Sequence, residues 1–382
     1  MKKKIVKVIA AAGIASLLVC PLSACNGIGD IINQIASQTS EPVSEPESES
    51  AVTSEIASDS DWEKPSGAEK GSETGSEKPG KGDVATEEDY LEFINGDAKI
   101  FVEIEGAEIL EKGESYTLDE MVEYMNKELP EHWGPAGMEV SEVGYAIVDC
   151  ANDKNPEMAI YVEAQAPDYY DGLTEYYIIK KMDGKLCVIA NYTAQGRSWG
   201  ELNKYGVFHS SGSGGAALHY GSYTRNNADG EQEFIYDCET TLGMEGPVLY
   251  GYELPSTAKL PDNMPQFPED FGEYSREAYS FMEYTEDMYD DESKYDEYKK
   301  NKIYVFYDPD GNVCFPSDED EKLYFDNGIR VTDADNLKEF LAGRLHDLGV
   351  TEEEMDFTSA DYAPAWKVVR DYVHTEGQGG VG

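Results

Sequence analysis

The chain has 382 residues, with 77 Asp and Glu against 30 Lys and Arg and a formal net charge of −47. That balance excludes nucleic acid as a partner, because neutralising a phosphate backbone takes Lys and Arg in quantity on one surface. Hydrophobic residues at 40% and aromatics at 11% exclude a wholly disordered acidic chain, which lacks the apolar surface a core needs.

The first element is an address. Lys2, Lys3, Lys4 and Lys7 precede an apolar run from Val8 to Val19, which suits a secretory signal and is too short to span a bilayer. It ends in Leu22-Ser23-Ala24-Cys25. This order of charge, apolar run and small residues before Cys resembles the lipobox signal of bacterial lipoproteins. The resemblance implies that residues 1–24 are a signal peptide and that Cys25 is lipidated. Two palmitate-type acyl chains give stable anchoring where one would be marginal. The expected location is therefore the extracytoplasmic face of the cell membrane. The other reading is cleavage to a soluble secreted protein in which Cys25 is incidental.

Residues 25–86 read as the lipidated Cys followed by a disordered stalk. Ser40-Glu41-Pro42, Ser44-Glu45-Pro46, Glu63-Lys64-Pro65 and Glu77-Lys78-Pro79 cannot bury enough apolar surface to offset the entropy of ordering them. A coil of about 60 residues reaches roughly 40–45 Å, which makes it a spacer. Trp62 is expected to be solvent-exposed within it. Residues 84–382 hold 64 acids and 22 bases, so the acidity belongs to the displayed head. Such a surface repels anionic polymers at close range and favours cationic partners.

For the head the sequence predicts an α+β class: a mainly antiparallel sheet with one N-terminal helix, then a more helical C-terminal part. The division is 87–260, β-rich, and 261–382, α+β, with Pro255, Pro261, Pro265 and Pro268 at the break; the two parts could equally form one domain. Thr117 and Glu120 form a capping-box pattern before a helix stopped by Pro130. Strands are predicted at 145–149, 158–163, 175–182, 185–191, 206–209, 217–223, 233–237 and 247–252. Asp183-Gly184 supplies the clearest hairpin turn. Ser275–Glu292 is predicted helical, followed by a hairpin at Asp308-Pro309-Asp310-Gly311. Thr332–Leu348 is the strongest helix, with Leu337, Phe340, Leu341, Leu345 and Leu348 on one face and Gly349 as its stop.

Asp149, Asp153, Asn155 and Glu157 alternate along a loop between two strands, the pattern in which oxygen ligands surround Ca²⁺. The loop resembles the Asp-rich loops of FG-GAP/VCBS-type repeats, and this resemblance implies a calcium cofactor held by those four residues. It departs from the pattern at Ala151 and Lys154, where an acid and a glycine would stand. The competing reading is a strand–turn–strand whose Asp and Asn bond the local backbone. The stretch from Tyr145 to Asp237 is also similar to uncharacterised surface lipoproteins of Gram-positive gut anaerobes, which brings no activity with it.

Ser210–Ala216 between His209 and His219 is the most tempting catalytic patch, with Ser213 as nucleophile. It lacks the Gly-x-Ser-x-Gly elbow, and a flexible loop between strands is the alternative. The five His show no zinc spacing. No catalytic residue is assigned, and the balance is against an enzyme. Cys150, Cys187, Cys238 and Cys314 show no disulfide framework, and the first two suit a core. Tyr274, Tyr279, Tyr284 and Tyr289 recur every five residues, too wide for one helical stripe. Trp133, Trp199 and Trp366 are either glycan platforms or core residues. Address, stalk and β-rich head point to a membrane-anchored binding or interaction module for a glycan or protein ligand. An extracytoplasmic hydrolase or an envelope-structural accessory protein is the alternative.

Overall fold

The computed structural model describes residues 85–372, except 105–108, 133–136, 167–168, 245–248, 250–253, 260–273, 290 and 316–317. The signal, Cys25, nearly all of the stalk with Trp62, Trp133, most of the strand predicted at 247–252 and most of the Pro-rich break lie outside the described residues.

The head begins with α1 (Glu87–Ile94), β1 (Ile100–Val102), β2 (Ser115–Tyr116) and α2 (Leu118–His132). A long run of strands follows: β3 (Glu139–Val148), β4 (Glu157–Ala166), β5 (Tyr169–Met182), β6 (Lys185–Gln195), β7 (Ser198–Leu202), β8 (Val207–Ser213), β9 (Leu218–Asn226) and β10 (Gln232–Met244). The remainder is β11 (Tyr274–Ser280), α3 (Glu292–Lys300), β12 (Ile303–Tyr307), β13 (Val313–Phe315), α4 (Asp318–Asp326), β14 (Arg330–Val331), α5 (Ala334–Leu348) and β15 (Lys367–Asp371). Among the described residues no helix is long and apolar enough to cross a membrane.

The strands form two sheets, ordered β15-β3-β4-β5-β6-β1-β2 and β13-β12-β11-β10-β9-β8-β7, with β14 beside β12. All pairings are antiparallel except β1 with β6 and β12 with β14. The predicted α+β class with a more helical C-terminal part is overturned. Strand makes up 41% of the described residues against 25% helix, and the region after 261 contributes five strands, including the edge of each sheet.

The error is clearest at Ser275–Glu292. In place of a helix the chain forms β11, then a single 3₁₀ turn at Glu286–Tyr289, and α3 starts only at Glu292. The five-residue tyrosine spacing is the reason. In a strand it puts Tyr274 and Tyr279 on opposite faces, and each ring is buried in a different core cluster. A second miss is α1, whose Thr86 and Asp89 form a capping box.

Local signals fared better. Thr117 N–H donates to Glu120 Oε2 at 2.8 Å and Glu120 N–H to Thr117 Oγ1 at 3.3 Å, completing the predicted box. That helix runs through Pro130 to His132. Asp183 and Gly184 both take positive φ, +50° and +76°, as a two-residue hairpin turn of this hand requires. The 308–311 turn links β12 and β13, and Gly349 ends α5 in the left-handed region.

On one face of the first sheet, α1 and α2 bury Tyr90, Phe93, Met121, Met125 and Leu129 against Val143, Ile160, Val162 and Tyr177. The other face meets the start of the second sheet, where Cys150, Ala159, Ile178 and Tyr192 cluster with Leu202 and Phe208. In the second sheet, Leu337, Leu341 and Leu345 of α5 pack on Tyr236, Cys238, Tyr279 and Val305.

A polar joint holds the sheets together. Lys180 Nζ donates to Glu157 Oε1 at 2.6 Å and to the Ala228 carbonyl at 2.9 Å. Asp149 N–H, at the end of β3, donates to the Lys204 carbonyl between β7 and β8 at 2.8 Å. Gly206, at φ +74°, lies so close to Cys150 that a Cβ would stand 2.3 Å from its sulfur. Glycine is the residue that fits there, on both counts.

Candidate functional site

The residues proposed for calcium form part of this joint. Glu157 is buried, accepts from Cys150 N–H at 2.9 Å and is paired to Lys180. Burial raises its carboxyl above the usual range, and Lys180 partly offsets that shift. Asp149 Oδ1 accepts from Lys154 N–H at 2.9 Å, and Asp153 Oδ1 from Asn155 N–H at 2.7 Å. These are the local turn bonds of the competing reading. Lys154, where a glycine was expected, adopts φ +67°. Asn155 Oδ1 is buried with no hydrogen-bond partner among the described residues. Among the described residues no group of three or more His, Cys, Asp or Glu is placed to hold a metal ion.

Ser213 and His219 do become cross-strand neighbours. The Ser213 hydroxyl, however, donates to the Gly215 carbonyl at 2.6 Å and stays within its own turn. His209 stacks on Tyr223 with centroids 4.3 Å apart and planes 3° from parallel. Burial pulls its imidazole down to about 4, so it is neutral at pH 7. Cys150, Cys187 and Cys238 are buried thiols and Cys314 a half-buried one, none of them in a disulfide.

A different set of residues converges at the seam where β6 turns into β7. A groove of about 290 Å³ opens there, with Glu163, Gln165, Thr174, Tyr176, Ser198 and Trp199 in its lining. The strand register explains how they meet. Glu142 on β3 stands opposite Glu163 on β4, which stands opposite Thr174 on β5. In the next row Gly144 faces Tyr161, and Tyr161 faces Tyr176. Residues two apart share a face, so both rows rise from the side of the sheet away from α1 and α2.

Gly144 lets Tyr161 lie across its strand, since a Cβ there would fall 2.3 Å from the ring. Trp366, just before β15, meets Tyr161 edge-on at 5.0 Å and Tyr176 at 6.3 Å. Tyr176 continues to Phe208 at 5.4 Å, and its hydroxyl donates to the Gly200 carbonyl at 3.0 Å. Trp199 lines the same groove as Tyr176 and is 44% exposed. An indole left this open is a large apolar face offered to solvent.

The carboxylate in the groove's lining is Glu163, with Glu142 opposite it on the ladder. The Tyr161 hydroxyl donates to the Glu142 carboxylate. Burial, and then the Glu142 charge, raise the Glu163 carboxyl above its usual range. Burial also raises Glu201 on β7. Tyr176 is pushed up to about 12, first by burial and then by Glu163 and Glu201. Paired carboxylates and ring faces can accept sugar hydroxyls or hold a cation, and Thr174, Ser198 and Gln165 add neutral hydrogen-bonding groups.

Trp199 and Trp366 were named from sequence as platforms or core, and they take one part each: Trp199 is open, while Trp366 is half-buried among rings. Glu142, Tyr161, Glu163 and Tyr176 were not singled out. The available signal was Gly144 inside a strand, which marks a close approach. No protein family, curated protein or solved structure matches the chain.

Proposed function

We propose that the protein is a membrane-anchored extracytoplasmic binding module whose seam groove takes a saccharide. The observation that carries this reading is the half-exposed Trp199 beside a ring-walled groove with carboxylate, hydroxyl and amide groups at its rim. Apolar sugar faces stack on such rings, while their hydroxyls need the polar rim. Replacing Trp199 by Ala should lower affinity for a bound oligosaccharide about tenfold, roughly the 1.4 kcal/mol expected of a lost ring contact. Isothermal titration of soluble oligosaccharides against both proteins reads this. Unchanged affinity in Trp199→Ala would remove the groove from the account.

The anchoring half of the proposal rests on the lipobox residues. Cys25→Ala should release the protein from the membrane fraction into the medium, read by fractionation and immunoblotting. Retention in the membrane would refute lipid attachment at Cys25.

A further inference from the structure

We infer that the ligand is a linear saccharide chain that runs on past the groove, across β8, to a second ring platform at Tyr220. The inference rests on the saccharide reading of the groove and adds the length and course of its ligand. Six large apolar side chains stand exposed among the described residues, and three of them, Trp199, Leu218 and Tyr220, lie on β7 and β9, the two neighbours of β8. A single exposed apolar residue is ordinary on a protein surface, whereas a group of them marks a contact face.

Register connects this group to the groove. Ser198, in the groove's lining, stands opposite Gly212 on β8, and Gly212 stands opposite Tyr220 on β9, with no shift in either pairing. Directly opposite residues share a face of the sheet, so Tyr220 rises on the same side as Ser198. Neighbouring strands lie about 4.8 Å apart, which sets the Tyr220 backbone about 10 Å from that of Ser198. The ring spans part of that gap. A Cβ on Gly212 would fall 2.5 Å from the Tyr220 hydroxyl, so the ring lies down over β8 with its tip toward β7. Leu218, two residues earlier and on the same face, covers Gly214 in the same manner.

Tyr220 is open where Tyr161 and Trp366 are packed on each other. It is 44% exposed, and among the described residues its ring meets no other ring and its hydroxyl has no hydrogen-bond partner. Glu239 stands opposite it on β10, partly exposed and paired to Lys302 at 3.3 Å. An open ring bordered by a charged pair offers a stacking face to the apolar side of a sugar, with acceptors and donors for its hydroxyls. The arrangement repeats that of Trp199 beside the groove's polar rim, one strand further into the sheet than β8.

Chain length tests this. Isothermal titration of the full mature protein would use the disaccharide and hexasaccharide of the chito- and cello-oligosaccharide series. In a series that binds, the hexasaccharide should bind about tenfold tighter than the disaccharide, roughly the 1.4 kcal/mol of one further ring contact. Tyr220→Ala should remove that gain while leaving the disaccharide within about twofold, which also shows that the fold is intact. Tyr220→Phe, which keeps the ring, should retain the gain, and Trp199→Ala should weaken both lengths. Equal affinity for the two lengths, a gain that survives Tyr220→Ala, or an equal loss at both lengths in that variant would overturn the second platform and leave the groove standing. No binding of either length in either series, with Trp199→Ala no different from the unmodified protein, would overturn both.

Discussion

Glu157→Gln is expected to destabilise the head by about 3–5 kcal/mol. The carboxylate is fully buried and Lys180 nearly so, with side chains 0% and 9% exposed. Removing one charge leaves the buried ammonium with the Ala228 carbonyl and a neutral amide as partners. Replacing the pair together, Glu157→Gln with Lys180→Met, should recover most of the loss, because the uncompensated charge disappears with its partner. Urea unfolding of the single and double variants measures both quantities. A single variant within about 1 kcal/mol of the parent would show that the pair contributes no more than a surface salt bridge.

The second large effect is on the pH dependence of stability. Asp237 keeps its proton to about pH 6, raised from 3.8 chiefly by burial, with the Glu283 charge adding to the shift and Ser222 and Lys302 opposing it. Between pH 3.8 and 6 the folded state therefore binds more protons at this residue than the unfolded state, and stability falls as pH rises. Above pH 6 the loss is complete, on the order of 3 kcal/mol.

His209 has the opposite sign. Its imidazole titrates at about 4 in the fold and at 6.5 in the unfolded chain. Its contribution is present above pH 6.5 and is lost as pH falls through 4, by a similar amount of about 3 kcal/mol. The two slopes oppose each other between pH 4 and 6. Asp237→Asn should make stability climb more steeply with pH across that window and raise it at pH 7. His209→Phe, which keeps a ring against Tyr223, should do the reverse and expose the Asp237 decline. Urea midpoints at pH 4.5, 5.5 and 7 separate them, and parallel curves for parent and variants would refute the assignment.

What the sequence made legible was local. The Thr117–Glu120 box, the Asp183-Gly184 turn and the Gly349 stop depend on residues within one turn of each other, where composition and spacing decide the outcome. The tyrosine spacing, too wide for one helical stripe, argued against the helix expected at 275–292: it fits β11, where Tyr274 and Tyr279 take opposite faces of the strand. The groove was not legible for a different reason. Glu142 and Glu163 become neighbours through the β3–β4 register, which contains a shift between Val140 and Glu142. Trp366 arrives from the far end of the chain. Register across a bulge and pairing over two hundred residues leave no mark on local sequence.

That distant pairing affects how the protein is made. β15 borders β3 in the first sheet, with Lys367 opposite Tyr145, so the sheet has a raw edge until residue 371 has been delivered. A chain exported from its N-terminus would carry β3 with one flank unpaired while everything from β4 to α5 emerges. Non-local closure of this kind is slow, and an unpaired edge invites intermolecular pairing meanwhile. Trp366 lies next to that last strand, so its ring reaches Tyr161 and Tyr176 only when the sheet is sealed. C-terminally clipped molecules would therefore lack the edge strand of the first sheet and the Trp366 ring that packs on Tyr161 and Tyr176.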